Sequence, residues 1–545
     1  MKKADVVFIN GEVITVDQHF SITEAVAILD HKIMAVGKNE EIKKYIGGET
    51  KIIDLEGKSL LPGFIDAHLH MAETGLTKLA FDVRAVESME DMIALLKQQT
   101  KDIPKGQWIR GWGFNDNRIK EGRMPTRWEL DEISTKHPIY IQRSCNHILS
   151  ANSYALQLAE IHNQSEPLED GEIEKENGIV NGVLKESARM KVLDLDQYSE
   201  REYLEAIQIA SKEFIAAGIT SVHDLGSKFP KHMIMMQKAM RDPDIKIRIY
   251  GTVVSFDNTT DAIGQTLEAG ILSGAGNDRF RIGPSKLFLD GSLTGRTAAM
   301  KDGYIGDKNN KGIVYLSQEK LHSIMENPHL AGCQIAAHAI GDTAVEMMVD
   351  CIEHVTSLDN RKNHRHRIEH ASVTSKELLK RIKDLEIVVI PNPAFLYPFG
   401  EEYVNNIGER AQSMFPIRSF LDYGIMVAAG SDSPVTEYNP IIGIYELVNR
   451  RTKNGLLIGP EERITIEEAI KIFTYNGAYA SFEEQTKGSI EPGKLADLVV
   501  IDQSILRCPS EDILHVKVEM TVFNGEIVYV REPNSFVSTS MSENV

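Results

Sequence analysis

Residues 61–70 read LPGFIDAHLH, an apolar run ending in His-x-His. Side chains two apart on a strand point the same way, so His68 and His70 can grip one cation. Neutral imidazole suits zinc and similar borderline metals. The same pair would also serve as two satisfied histidines at a strand end, and its neighbours must decide. Residues 335–338 read IAAH, residues 367–370 read RIEH, and the apolar run 426–430 leads into Asp432. Lys286 opens SKLFLDG beside bulky apolar residues. Taken singly, each is more often a structural histidine, a solvated lysine or a turn aspartate. If the strands are parallel and close into a barrel, their C-terminal ends face one mouth. His68, His70, His338, His370 and Asp432 then converge.

The elements needed for this are written in the middle of the chain. Leu204, Ile207, Ala210 and Phe214 share one helical face, Gly218 stops the helix, and residues 219–222 read as a buried strand. The unit recurs: a helix over 376–385 with a strand over 387–390, and a helix over 409–423 with a strand over 425–429. Continuous apolar strands between helices imply a parallel sheet covered on both faces, as a barrel or a doubly wound sheet. From about 75 to 200 the rhythm breaks in a stretch holding Trp108, Trp112 and Trp128, which reads as a long insertion. Both ends are β-rich. Asn10-Gly11 and Asn524-Gly525 each interrupt a strand-like run, the pattern of a hairpin turn. One small β domain built from both termini follows.

The 545 residues carry a formal charge of -19, which disfavours nucleic acid and anionic membranes as partners. Cys145, Cys333, Cys351 and Cys508 are scattered, which suits a reduced cytoplasmic protein. The N-terminal apolar run is too short for a signal peptide, and no stretch has transmembrane length.

FIDAHLH, SKLFLDGSLTGR, AAHAIGD, RIEHAS and AAGSDSPV resemble the metal motifs of the amidohydrolase superfamily, in detail its YtcJ-like branch, which includes N-substituted formamide deformylases. NGEVITVD and EPGKLADLVVID resemble that family's β-domain strands. The resemblance implies an α/β fold: a (β/α)8 TIM-type barrel over 59–485, inserted at about 75–200. A small β-sandwich domain forms from 1–58 plus 486–534, with a disordered tail over 535–545. It implies one or two divalent metal ions, zinc foremost, held by His68, His70, Lys286, His338, His370 and Asp432. Lys286 matches a lysine that is often carboxylated and bridges two metals. A bridging anion offsets the repulsion of two cations about 3.5–4 Å apart, and a carbamate on Lys286 would supply it.

The reaction implied is hydrolysis of a C–N bond of a small-molecule substrate by metal-bound hydroxide, with Asp432 as the catalytic proton acceptor. An N-substituted formamide is the leading substrate. A deaminase or cyclic amidase of the same superfamily is the alternative within enzymes, and a metal-free scaffold the alternative outside them. Candidate substrate contacts are His147 in the insertion, His223 at the end of a strand, Asp290 and Arg296 in DGSLTGR, and Trp112 in GWGF. A barrel of this size commonly forms homo-oligomers, and the sequence sets no number.

Overall fold

The computed structural model describes residues 2–144, 148–166, 171–227, 231–256, 258–259 and 261–532. It divides into two compact units, Met1–Met71 with Ala210–Val545, and Ala72–Ile209. Among the described residues, no helix is long and apolar enough to cross a membrane.

The first unit holds an eight-stranded parallel sheet in sequential order: β1 Phe64–Leu69, β2 Ile219–Asp224, β3 Arg248–Val254, β4 Phe280–Phe288, β5 Ile335–Ala339, β6 Arg367–His370, β7 Val388–Ile390 and β8 Met426–Val427. Continuous apolar strands of this kind need cover on both faces, and amphipathic helices between them supply it. Helix Gln318–Leu330 begins where the Ser317 side chain accepts from Lys320 N–H. Gly218, at φ +80, turns the chain into β2. The two edges of the sheet meet as well: Ala67 N–H donates to Ala429 O at 2.9 Å and His70 N–H to Ser433 O at 2.9 Å. The fold is mixed α/β of TIM type.

The expected helix over 409–423 is two pieces. A 3-10 helix spans Gly408–Ser413 and an α-helix spans Ile417–Asp422. Phe415 sits at φ +45 and Pro416 caps the second piece, because proline lacks the N–H that a continuous helix needs.

Two further sheets use the chain ends. One pairs Lys32–Gly37, Ala25–Leu29, Val6–Ile9 and Lys51–Asp54. The other runs Glu526–Val530, Val518–Phe523, Leu498–Ile501, Ser59–Pro62, Glu12–Ile14 and Ile22–Thr23, so strands from both ends share one ladder. Phe8, Val26 and Ile53 of the first sheet and Leu60, Leu498 and Val522 of the second lie in one buried cluster. The Asn10-Gly11 hairpin does not form. Val6–Ile9 and Glu12–Ile14 lie in different sheets. Asn10 has φ +55, but Gly11 is not among the positive-φ glycines, so the two left-handed residues of a type I′ turn are missing. At Asn524-Gly525 both residues are left-handed, and Phe523 pairs with Glu526 across the turn.

The second unit is built on a six-stranded sheet from Phe81–Asp82 to Gly171–Glu176. Arg110 grips Asp196 through Nε at 2.6 Å and Nη2 at 2.7 Å.

Candidate metal centre

The C-terminal ends of β1, β5 and β6 and the segment after β8 bring His68, His70, His338, His370 and Asp432 together. Oδ1 of Asp432 lies 3.3 Å from Nε2 of both His68 and His70. The His68 and His370 rings are 4.6 Å apart, and those of His338 and His370 4.5 Å. Donor atoms of His68, His370 and Asp432 lie within 4.8 Å of one another. Two of these residues break the ordinary strand conformation: His370 has φ +70 and Asp432 φ +56. Left-handed backbone in a non-glycine residue is costly and clusters where function needs a side chain re-aimed.

Each imidazole is held at Nδ1 by a group that accepts. His68 meets Glu369 Oε2 at 2.7 Å, His70 meets Gly226 O at 2.7 Å, His338 meets Asp290 Oδ1 at 3.1 Å and His370 meets Asn392 Oδ1 at 2.7 Å. The Asn392 amide is oriented by its nitrogen, which donates to Gly430 O at 3.1 Å. In a neutral ring the proton therefore sits on Nδ1, and the lone pair sits on Nε2. Burial by itself would raise the Asp432 carboxyl; positive charge on the surrounding rings, His68 first, outweighs this and holds it well below the usual range, and with neutral rings a bound cation would supply that charge.

Lys286 comes from β4 and is fully buried. Its Nζ has no hydrogen-bond partner among the described residues and lies 4.6 Å from the Phe288 ring centre. Burial pulls its amine down to about 8, against the opposing fields of Glu369 and Asp432. An orphaned buried amine beside four oriented imidazoles and a carboxylate fits a site for divalent cations.

The remaining candidates that the structure describes are Asp290, His223, Arg296 and Trp112. Asp290 is buried; its oxygens accept from His338 Nδ1 and from the N–H groups of Ala299, Ile340 and Gly341 at 2.8–3.0 Å. His223 is fully buried, and its Nδ1 lies 3.0 Å from Arg367 Nη1. Arg296 Nε donates to Asn406 Oδ1 at 2.8 Å. Trp112 belongs to the second unit, where the Arg84 guanidinium lies 5.2 Å from its ring centre. His147 falls outside the described residues. The sequence reading gave no role to Glu369, Arg367 or Asn392. The signal for the first two was a charged Arg-x-Glu inside strand text, one face of β6.

A model of the amidohydrolase family matches residues 51–529, and the chain belongs to that family of metal-dependent hydrolases. It is an enzyme, a hydrolase of the amidohydrolase kind acting on carbon–nitrogen bonds. The chain is 29% identical over 546 residues to an N-substituted formamide deformylase from Arthrobacter pascens, covering 97% of this chain and 98% of that protein. It is 30% identical over 531 residues to the putative amidohydrolase YtcJ of Bacillus subtilis (strain 168), covering 95% and 98%. An uncharacterized metal-dependent hydrolase from Pyrococcus horikoshii OT3 matches with a TM-score of 0.78 and 26% identity, over 93% of this chain and 99% of that one.

Proposed function

We propose that this enzyme hydrolyses the C–N bond of a small-molecule amide, with N-substituted formamides as the substrate class. The observation that carries the chemistry is the shared orientation of four imidazoles, each pinned at Nδ1 by an acceptor. The formamide assignment is supported by the relative from Arthrobacter pascens, similar over nearly the full length of both chains. Zinc, as two ions per chain, suits His68, His70, His338, His370 and Asp432 as ligands. The chemistry that cations held there would supply is a lowered pKa of water, towards about 7, and polarisation of a carbonyl. Lys286, with its amine pulled down to about 8, would add CO₂ and lose a proton to become a carbamate, an anionic oxygen donor that would join the histidines in holding the cations. The Asp432 carboxylate takes the proton of the attacking water and passes it to the leaving amine. Asp290 holds His338 in place. We assign the enzyme to the cytoplasm, with a β-sandwich from both chain ends as a domain beside the (β/α)8 barrel.

The test is metal content by mass spectrometry on protein purified without chelator, followed by formate release from a panel of N-alkyl and N-aryl formamides. Close to two zinc equivalents per chain and formate release are expected. Turnover of other amides with no formamide turnover would overturn the substrate class. Absence of metal, with no activity on adding it, would overturn the site.

A further inference from the structure

Beneath His68 lies a fully buried chain of charges that the proposed reaction does not use. Glu369 and Arg367 share one face of β6, and neither is exposed. Arg367 Nε donates to Glu369 Oε1 at 2.7 Å, and its Nη2 donates to Oε2 at 3.1 Å. The same Nη2 donates to Ala67 O on β1 at 2.8 Å, and Nη1 faces His223 Nδ1 on β2 at 3.0 Å. Oε2 of Glu369 then meets His68 Nδ1 at 2.7 Å. One guanidinium thus ties three strands and balances one carboxylate, while that carboxylate holds one ligand ring. His70, just past the same strand, meets the Gly226 carbonyl at its Nδ1.

We propose that Glu369 is a positioning residue that fixes the tautomer of His68 for metal binding, with Arg367 dictating which way its carboxylate can serve. The inference rests on the metal reading above and deepens it. A carboxylate can only accept, so the His68 proton is confined to Nδ1 and Nε2 keeps its lone pair. The isosteric change Glu369→Gln reverses this. The amide has a single oxygen, and Arg367 Nε claims it at the shorter contact. The amide nitrogen then faces His68 and donates to Nδ1. The ring proton moves to Nε2, where a cation has to bind. Glu369→Asp keeps an acceptor and the charge but is one methylene shorter.

The two changes rank oppositely under the two explanations. If Glu369 only fills space, glutamine is the milder change. If it sets the tautomer, aspartate is milder. The experiment is chelator competition for zinc, and the visible spectrum of the cobalt-substituted protein, on wild type, Glu369→Gln and Glu369→Asp. Melting of each metal-free protein reads the fold. Glu369→Gln is expected to lose about 10- to 100-fold in metal affinity, with an altered cobalt spectrum; because it also leaves the buried Arg367 without its carboxylate, its metal-free melting temperature falls below that of wild type while the transition stays cooperative. Glu369→Asp is expected to lose less. Metal affinity within twofold of wild type in Glu369→Gln, or a larger loss in Glu369→Asp, overturns the proposal. Should Glu369→Gln not fold, Glu369→Asn takes its place beside Glu369→Asp, the two being of equal length: equal metal affinity in the two overturns the proposal, and a larger loss in Glu369→Asn supports it. A wild type that binds no metal refutes the reading of the site itself.

Discussion

Asp432 stands within 3.3 Å of two imidazole nitrogens, Nε2 of His68 and Nε2 of His70. An ionised carboxylate at that place can both ligate and accept a proton. An asparagine side chain in its place would keep one oxygen for a cation and lose the proton acceptor. Asp432→Asn is therefore expected to retain metal while kcat falls about 10²- to 10⁴-fold, the usual weight of general acid–base catalysis. Metal analysis and single-turnover kinetics on one preparation check this; near-normal turnover would remove Asp432 from the proton-transfer role. At this scale the sequence was most legible where chemistry and spacing coincide. His68 and His70 stand two apart at the C-terminal end of one strand, and no structure is needed to see that they can act together. Glu369 was not legible, because its meaning depends on His68, 301 positions away in sequence. Asn392 depends on two partners, His370 and Gly430, that no local pattern relates to it.

Elements decide whether those residues meet. The parallel strands between helices could be read from continuous apolar runs, and seven of the eight strands carry three or more consecutive residues in the parallel sheet. The last is short: β8 is only Met426–Val427, and closure beyond it depends on loop backbone. Gly430 lies at that closure. A Cβ there would stand 2.3 Å from His68 N and 2.6 Å from His68 O, both backbone atoms that cannot swing aside. Gly430→Ala is expected to cost about 1–3 kcal/mol of stability by overpacking and to displace His68. Melting of the metal-free protein and zinc content measure the two effects separately. Wild-type values for both would show that the strand ends can part without harm. The two Asn-Gly pairs mark the limit of element-level reading. The dipeptide permits a tight hairpin, but only Asn524-Gly525 takes the required left-handed pair of conformations. At Asn10 the two flanking strands find better partners in separate sheets, and tertiary pairing overrides the local preference.

The stability of the whole molecule against acid turns on histidines away from the ligand set. His329, His364 and His366 are buried around the start of β5 and β6. Ile335 N–H donates to His366 Nδ1 at 3.2 Å, so the His366 proton is on Nε2 and points to His329 Nδ1 at 2.8 Å. His329 in turn donates from Nε2 to Asp359 O at 2.8 Å. His366 N–H donates to His364 Nδ1 at 3.0 Å. Every ring thus receives a hydrogen at Nδ1, and none can take a second proton without losing that bond. Burial lowers all three; the other rings and Arg361 add to it for His364 and His366, and His364 falls to about 4. Asp359 and Glu386 oppose the shift without reversing it. The sign follows from linkage. Above the ordinary histidine value of about 6.5 neither state is protonated, and these groups cost nothing. Below it the unfolded chain takes up protons that the folded chain refuses, so stability falls as pH drops from about 6.5 through the value near 4. His366, lowered further by burial and by the rings of His364 and His329, contributes to this loss in the same direction. A glutamine there accepts from Ile335 N–H through its oxygen, donates to His329 through its nitrogen and does not titrate. His366→Gln is therefore expected to match wild type near pH 7.5 and to lose less stability than wild type between about pH 6 and pH 4.5. Thermal melting of both metal-free proteins across that range isolates the difference, since all other histidines are common to the pair. Parallel curves would mean that the acid sensitivity of the fold lies elsewhere.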